Sequence, residues 1–171
     1  MSQNIYLIGM RGVGKTTVGK ALAKKLSRNF VDMDEDLVRK EGMTVHDLVQ
    51  AGGWDLFRQK EKECVGRMLR KKESVIATGG GTLMYFDNAD RLKNSGRIIF
   101  LRAMPQTLAK WLKGQKERPS LTGKGVAEEL EEVWSQRKST YEKYADITAD
   151  MEQFSSPDAL INFLLVQLRN S

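Results

Sequence analysis

The stretch that decides the fold is Ile5-Tyr-Leu-Ile-Gly9-Met-Arg-Gly12-Val-Gly14-Lys15-Thr16-Thr17. The apolar run at its start predicts a buried strand, and the apolar residues that follow it recur at helical spacing. The turn between them matches the pattern G-x-x-x-x-G-K-[ST] of a phosphate-binding loop through Gly9, Gly14, Lys15 and Thr16. Because the motif stands between a strand and a helix, as it must, the sequence predicts a site for a nucleoside triphosphate.

The chemistry of phosphate binding explains the residues of this loop. Glycines let backbone N–H groups turn inward around an anion, and a helix that begins near Gly14 adds the positive end of its dipole. Lys15 supplies a point charge for the outer phosphates, and the Thr16 hydroxyl is a ligand for Mg²⁺. We therefore expect Mg²⁺ and ATP to be held here, with nucleotide contacts from Gly12, Val13, Gly14, Lys15, Thr16 and Thr17.

The composition is ordinary for a soluble globular protein. The chain has 171 residues, 40% hydrophobic and 29% charged, which suits one domain with a substantial core. Its one cysteine, Cys64, excludes an internal disulfide and fits a reducing compartment. We see no leader peptide and no apolar run long enough for a bilayer, so we expect a cytoplasmic protein. The net charge of +6 is scattered, which argues against nucleic acid as a partner.

Strands and helices alternate along the chain. Apolar runs predict strands at about 5–8, 30–32, 74–78, 98–101 and 146–148, with helical patterns between them. This alternation predicts an α/β fold of three layers, with a parallel sheet between two layers of helices. We assign residues 1–171 to a single domain. The polar, glycine-bounded stretch from Gln115 to Gly125 predicts a mobile loop.

Two carboxylates are predicted at the edge of the sheet where ligands bind. In parallel sheets this edge is formed by the carboxyl ends of the strands. The second strand ends at Asp32, and we expect Asp34 to cap the helix that follows. Because the third strand ends in Thr78 and not in an aspartate, Asp32 is the nearest carboxylate for Mg²⁺ beside Thr16. Asp34 is then available to accept a proton from a substrate hydroxyl.

Two arginines are predicted on buried helix faces. Glu61 lies on the apolar stripe of helix 54–71, three residues after Arg58, and Arg137 interrupts the apolar line of helix 126–144. A surface salt bridge between Arg58 and Glu61 is the alternative that spacing alone allows. Because a guanidinium group matches the shape of a carboxylate, two inward arginines indicate a site for an anionic substrate.

Three consecutive glycines follow the third strand. Gly79, Gly80 and Gly81 could form only a flexible turn, although one or two glycines would suffice for that. We interpret the run as backbone that is brought close to a ligand.

Over its whole length the chain resembles the shikimate kinase family. The resemblance depends on an ordered set of motifs: the loop at 9–16, Asp32-Met-Asp34, Phe57-Arg58 with Glu61, the glycines at 79–81, Arg118-Pro-Ser-Leu121, and Arg137 ahead of Tyr141. It implies transfer of the ATP γ-phosphate to the 3-hydroxyl of shikimate, in the pathway to chorismate and the aromatic amino acids. It also implies a P-loop kinase fold with a five-stranded sheet of order 2-3-1-4-5, and a monomer.

The resemblance further implies roles for single residues and segments. A substrate-binding segment spans about 33–61, and a mobile lid spans about 114–125. The expected catalytic residues are Asp34 as the base, Lys15, and Arg118 of the lid, which closes over the phosphates. Mg²⁺ is supported by Asp32 with Thr16. Shikimate is held by Asp34, Arg58, Gly79, Gly80, Gly81 and Arg137, with Glu61 orienting the arginines.

The chain departs from the family pattern at the adenine site. Where relatives usually place an arginine against adenine, this chain has Trp111, next to Lys110. The indole could stack on the base. Alternatively, Trp111 packs under Pro105 and Leu108 as helix core while Lys110 contacts the nucleotide. The lid has Ser120 where leucine is commoner, which is a minor change.

Two other functions remain open from the sequence. One is a kinase for another small carboxylated polyol, such as gluconate. The other is a nucleotide-binding module that has lost catalysis. The combination of Asp34, Arg58, the glycine run and Arg137 favours shikimate over gluconate. The presence of both Asp34 and Arg118 argues against a loss of catalysis.

Overall fold

The computed structural model describes residues 3–113 and 122–170. Its strands form one five-stranded sheet in the order β2-β3-β1-β4-β5, and every neighbouring pair is parallel. The strand bounds are β1 Asn4–Ile8, β2 Asn29–Asp32, β3 Ser74–Ala77, β4 Gly96–Arg102 and β5 Ile147–Asp150. The expected parallel sheet and its order are therefore confirmed.

Helices connect the strands, as the alternating pattern predicts. Their bounds are α1 Lys15–Leu26, α2 Met33–Glu41, α3 Val45–Met68, α4 Asn88–Ser95, α5 Pro105–Trp111, α6 Val126–Tyr144 and α7 Pro157–Arg169. A short 3-10 helix, Thr82–Met84, follows β3, and another, Met151–Gln153, follows β5. In the described residues, none of these helices has the length and apolar content needed to cross a membrane.

The central strand β1 is buried along its whole length. Tyr6, Leu7 and Ile8 have no exposed surface, because β1 is paired on both edges and covered on both faces. Such burial explains why its sequence is a continuous apolar run rather than an alternating one. The rigid strand holds the start of the phosphate loop at the carboxyl edge of the sheet.

Helix α3 is broken at a pair of glycines. Gly52 and Gly53 have non-helical backbone angles, and the φ of Gly53 is 70°. A small apolar cluster of Leu37, Leu48 and Phe57 joins α2 to both parts of α3 beside the main core. The second part of α3 also enters the main core, through Cys64 among others. The break thus lets one helix both support α2 and cover the sheet.

Candidate functional site

Two adjacent depressions lie at the carboxyl edge of the sheet. The first, the phosphate cleft, is lined by Arg11, Gly12, Gly14, Lys15, Thr16, Thr17, Asp32, Asp34, Ala77, Thr78, Gly80, Leu112 and Val126. The second, the arginine pocket, is lined by Met10, Arg11, Asp34, Val45, Trp54, Phe57, Arg58, Glu61, Gly79, Gly80, Gly81, Glu129, Leu130, Val133 and Arg137. The residues that the sequence predicted for nucleotide and for substrate are therefore brought side by side.

The phosphate loop has the geometry that its glycines predict. Gly14 precedes α1 with a φ of 101°, in the left-handed region that favours glycine. The Lys15 Nζ donates to the backbone oxygens of Gly9 and Met10, at 2.8 and 2.9 Å. Val13, by contrast, has its side chain in the core and does not line the cleft. Only its backbone could face a phosphate.

Thr16 and Asp32 are in direct contact in the cleft. The Thr16 hydroxyl donates to Asp32 Oδ2 at 2.6 Å, so a hydroxyl and a carboxylate adjoin each other. No cluster of three or more acidic, histidine or cysteine side chains suited to a metal occurs in the described part of the chain. Mg²⁺ beside a nucleotide does not need one, because phosphates and waters supply most of its ligands. The pair fits Mg²⁺ of that kind.

The cap of α2 differs from the expectation. Asp32, not Asp34, is the N-cap, and its Oδ1 accepts from the backbone N–H groups of Asp34 and Glu35 at 3.0 and 3.3 Å. Strand β2 runs into α2 without a loop, so the carboxylate at the strand end already reaches the first free N–H groups. The Asp34 side chain consequently lines both depressions instead of capping the helix.

Arg58 and Glu61 form a buried ion pair, so the alternative of a surface salt bridge is wrong. Arg58 Nη1 donates to Glu61 Oε2 at 2.8 Å, and the two side chains are 8% and 3% exposed. The Thr82 hydroxyl donates to Glu61 Oε1 at 2.6 Å. Burial raises the pKa of the Glu61 carboxyl, and Arg58 and Thr82 act against that rise. Among the described residues the buried Arg58 Nε has no hydrogen-bond partner.

Aromatic rings surround the Arg58 guanidinium. Its Cζ lies 4.3 Å from the ring centroid of Tyr85, 5.0 Å from that of Phe57 and 5.7 Å from that of Trp54. These distances are within the range of cation–π attraction, which favours the charged group in a site shielded from water. The rings and Glu61 together hold the guanidinium at the wall of the pocket.

The glycine run leaves the space that these charged groups occupy. A Cβ atom on Gly81 would lie 2.7 Å from Arg58 Nη2, and one on Gly79 would lie 2.6 Å from Glu61 Oε1. At either position the charged group would have to shift, and the ion pair and the Thr82 hydroxyl hold it in place. Crowding by the ion pair is therefore a reason for glycine here that the sequence did not reveal, in addition to any contact with a ligand.

Arg137 lies on the opposite side of the run, on α6. It is 9% exposed, and its Nη1 would be 3.3 Å from a Cβ atom on Gly80. One turn further along α6, the Tyr141 hydroxyl donates to the Gly80 carbonyl oxygen. Burial raises the pKa of Tyr141 to about 12, so the hydroxyl remains a donor. The expected inward position of Arg137 is confirmed.

Sequence reasoning missed three polar residues of the site. Arg11 stands at a variable position of the phosphate-loop motif, and Glu129 resembled the ordinary acidic first turn of a helix. Thr82 follows the glycine run, and no sequence motif marks it as a residue of the site. Burial would have been the signal for Glu129 and Thr82, which are 3% and 0% exposed, but it depends on tertiary packing.

The region expected to meet adenine is only partly described. Trp111 is 43% exposed, whereas Leu108 and Pro105 are buried, so the alternative that Trp111 is helix core is wrong. Lys110 is exposed as well. Arg118, expected in the lid, lies outside the described residues, as does most of the segment 114–125.

We expect the buried ion pair to be costly to break from one side. Glu61→Ala leaves the Arg58 cation buried without its carboxylate, which should lower the free energy of unfolding by about 3–5 kcal/mol. Glu63→Ala is the matched control, because Glu63 is on the same helix with a side chain 56% exposed, and its loss should stay within about 0.5 kcal/mol. Urea unfolding of both variants measures the difference, and equal losses would contradict the pairing.

Comparison with known proteins agrees with this geometry. The family model described as shikimate kinase matches residues 11–168. The chain is 40% identical over 171 residues to shikimate kinase 2 of Yersinia pseudotuberculosis, covering 98% of this chain and 97% of that protein. It is 41% identical over 144 residues to shikimate kinase 2 of Photorhabdus laumondii, covering 82% of each.

Solved structures give the same result. The structure of shikimate kinase from Acinetobacter baumannii in complex with shikimate has a TM-score of 0.91 at 31% identity, covering 99% of this chain and 94% of that one. A gluconokinase from Sinorhizobium meliloti has a TM-score of 0.58 at 17% identity, which shows a shared fold alone. With the family model matching nearly the whole chain, this protein belongs to the shikimate kinase family.

Proposed function

We propose that this protein transfers the γ-phosphoryl group of ATP to the 3-hydroxyl of shikimate, giving ADP and shikimate 3-phosphate on the way to chorismate. One observation carries the proposal. The arginine pocket, with its buried Arg58 and Arg137, adjoins the phosphate cleft, and Asp34 lines both. An anionic substrate in that pocket lies next to the phosphates and next to a base. The relative from Acinetobacter baumannii that binds shikimate supports the choice of substrate.

Shikimate binds through its carboxylate to the two arginines. The buried Nε of Arg58, which has no partner among the described residues, and the Arg137 guanidinium on the other side of the glycine run supply donors. Charge-assisted hydrogen bonds in a site shielded from water are strong and directional. With the carboxylate held at this end, the ring hydroxyls face the glycine run and Asp34.

The transfer then exchanges one bond to phosphorus for another. The bond between the γ-phosphorus and the oxygen that bridges it to the β-phosphate breaks, and a bond from that phosphorus to the shikimate 3-oxygen forms. The hydroxyl proton passes to the Asp34 carboxylate. Lys15 in the loop and Arg118 in the lid stabilise the negative charge on the group in transfer.

Mg²⁺ would be held by the adjoining Thr16 hydroxyl and Asp32 carboxylate, together with phosphate oxygens and water. It would neutralise charge on the phosphates.

The remaining expectations complete the proposal. Residues 1–171 form one domain, in which about 33–61 bind substrate and about 114–125 form the lid. The protein is a cytoplasmic monomer whose partners are ATP and shikimate, without nucleic acid or membrane. Its length and ordinary composition support a single domain, and its scattered positive charge supports the absence of nucleic acid.

A coupled assay of ADP release tests the reaction. The protein with Mg-ATP should release ADP with shikimate, and far less with gluconate or nucleoside monophosphates. Asp34→Asn keeps the shape but removes the base, so turnover should fall by ~10²–10⁴ while ADP binding stays nearly constant. Turnover of gluconate in place of shikimate would reject the substrate, and full activity of Asp34→Asn would reject the base.

Trp111 stacks on the adenine ring in place of the arginine of relatives. Its indole is exposed, and the following residue in the chain, Leu112, lines the phosphate cleft. The segment after β5 supplies the facing wall, since Met151 Cε lies 3.9 Å from the Cβ position on Gly14.

Base–aromatic stacking is worth about 1–3 kcal/mol, so Trp111→Ala should weaken ADP binding roughly 5- to 100-fold and spare shikimate. Phe86→Ala is the control, because Phe86 is an aromatic residue 49% exposed and outside both depressions. Calorimetric titration with ADP measures both. Unchanged ADP affinity in Trp111→Ala would exclude stacking.

A further inference from the structure

Three residues form the border between the two depressions. Arg11, Asp34 and Gly80 line both the phosphate cleft and the arginine pocket. A phosphoryl group that passes from nucleotide to substrate must cross this border. Asp34 and Gly80 already have a part in the proposed function, whereas Arg11 has none.

The Arg11 side chain is anchored on the substrate side of the border. Its Nη2 lies 3.8 Å from Glu129 Oε1, and its side chain is 25% exposed while that of Glu129 is 4% exposed. Glu129 is itself held, since its Oε2 accepts from the backbone N–H and the hydroxyl of Thr122 at 3.2 and 3.3 Å. The contact with Glu129 therefore directs Nη2 of Arg11 toward α6, at the side of the arginine pocket.

The Arg11 guanidinium also has donors to spare. Within residues 3–113 and 122–170 its buried Nε has no hydrogen-bond partner. Glu129 lies too far from Nη2 for a short hydrogen bond. A buried donor without an acceptor is unfavourable, so an anion at this place would be stabilised.

Lys15 is placed to balance the negative charge of the phosphates on the loop side of the border, not on the substrate side. Lys15 lies on the loop, with its Nζ on the Gly9 and Met10 oxygens. As the phosphoryl group leaves ADP, its negative charge moves away from the loop toward the substrate oxygen. A cation fixed on the far side stabilises that charge late in the transfer and in the product.

From these contacts we infer that Arg11 binds the phosphoryl group as it reaches shikimate and the phosphate of the product, and that Glu129 positions Arg11 for this. The inference rests on the proposed function of the same site. It implies that Arg11 contributes to the binding of shikimate 3-phosphate much more than to the binding of shikimate.

Product and substrate binding separate this role from a structural one. In Arg11→Gln, affinity for shikimate 3-phosphate should fall about 10- to 100-fold, as expected for a lost charge-assisted bond, while affinity for shikimate changes less than about threefold. The kcat should fall and the KM for shikimate should hold. Arg11→Lys keeps the charge without the planar fork. Its affinity for shikimate 3-phosphate should therefore lie between that of the unchanged protein and that of Arg11→Gln.

Arg91→Gln is the matched control. Arg91 is 30% exposed and is 3.9 Å from Asp87, so it resembles Arg11 in exposure and in pairing but lies outside both depressions. The Arg91→Gln variant should bind shikimate and shikimate 3-phosphate with the affinities of the unchanged protein. Guanidinium ion at low concentration should restore part of the kcat of Arg11→Ala, an effect that loss of a structural contact would not show.

Calorimetric titration with shikimate and with shikimate 3-phosphate decides the matter for all variants. Equal losses for the two ligands in Arg11→Gln, or no loss beyond that of Arg91→Gln, would overturn the role of Arg11. Glu129→Gln should lower affinity for shikimate 3-phosphate less than Arg11→Gln does, and no change would remove Glu129 as the positioning residue. Failure of the proposed function would give a different result, because the unchanged protein would then release no ADP with shikimate.

Discussion

The buried ion pair between Arg58 and Glu61 is the constraint on which the substrate side of the structure depends. An ion pair out of water is stable only when its remaining donors and acceptors are satisfied and the space around it is shaped for it. Thr82 and the surrounding aromatic rings meet only part of the first condition, because the buried Nε of Arg58 has no hydrogen-bond partner among the described residues. Glycines at 79 and 81 provide the second, because a side chain at either position would collide with the pair.

The carboxyl edge of the parallel sheet unites this pair with the phosphate loop. The loop follows β1, the acidic strand end follows β2 and the glycine run follows β3, and these three strands are neighbours in the sheet. Because β2 meets α2 directly, Asp32 both caps the helix and contacts Thr16. That double use leaves Asp34 at the border of the two depressions.

Much of the fold and part of the candidate site could be predicted from the sequence, because local patterns of residues determine them. The loop motif and the alternation of strands and helices predicted the sheet. The resemblance supplied the sheet order and the roles. The cap of α2 was mispredicted by two residues, since the length of the β2–α2 connection is not encoded locally. Arg11, Glu129 and Thr82 were missed because only packing shows that they adjoin the site.

The central claim is that the space left by the glycine run shapes the pocket that binds shikimate. A calorimetric titration of Gly81→Ala with shikimate tests it most directly, with Gly66→Ala as the control, since the nearest atom to a Cβ on Gly66 is Arg91 Nη2 at 3.6 Å. The added methyl group displaces Arg58, so shikimate affinity should fall roughly 10- to 150-fold while ADP affinity is retained. Shikimate affinity equal to that of Gly66→Ala would contradict the claim.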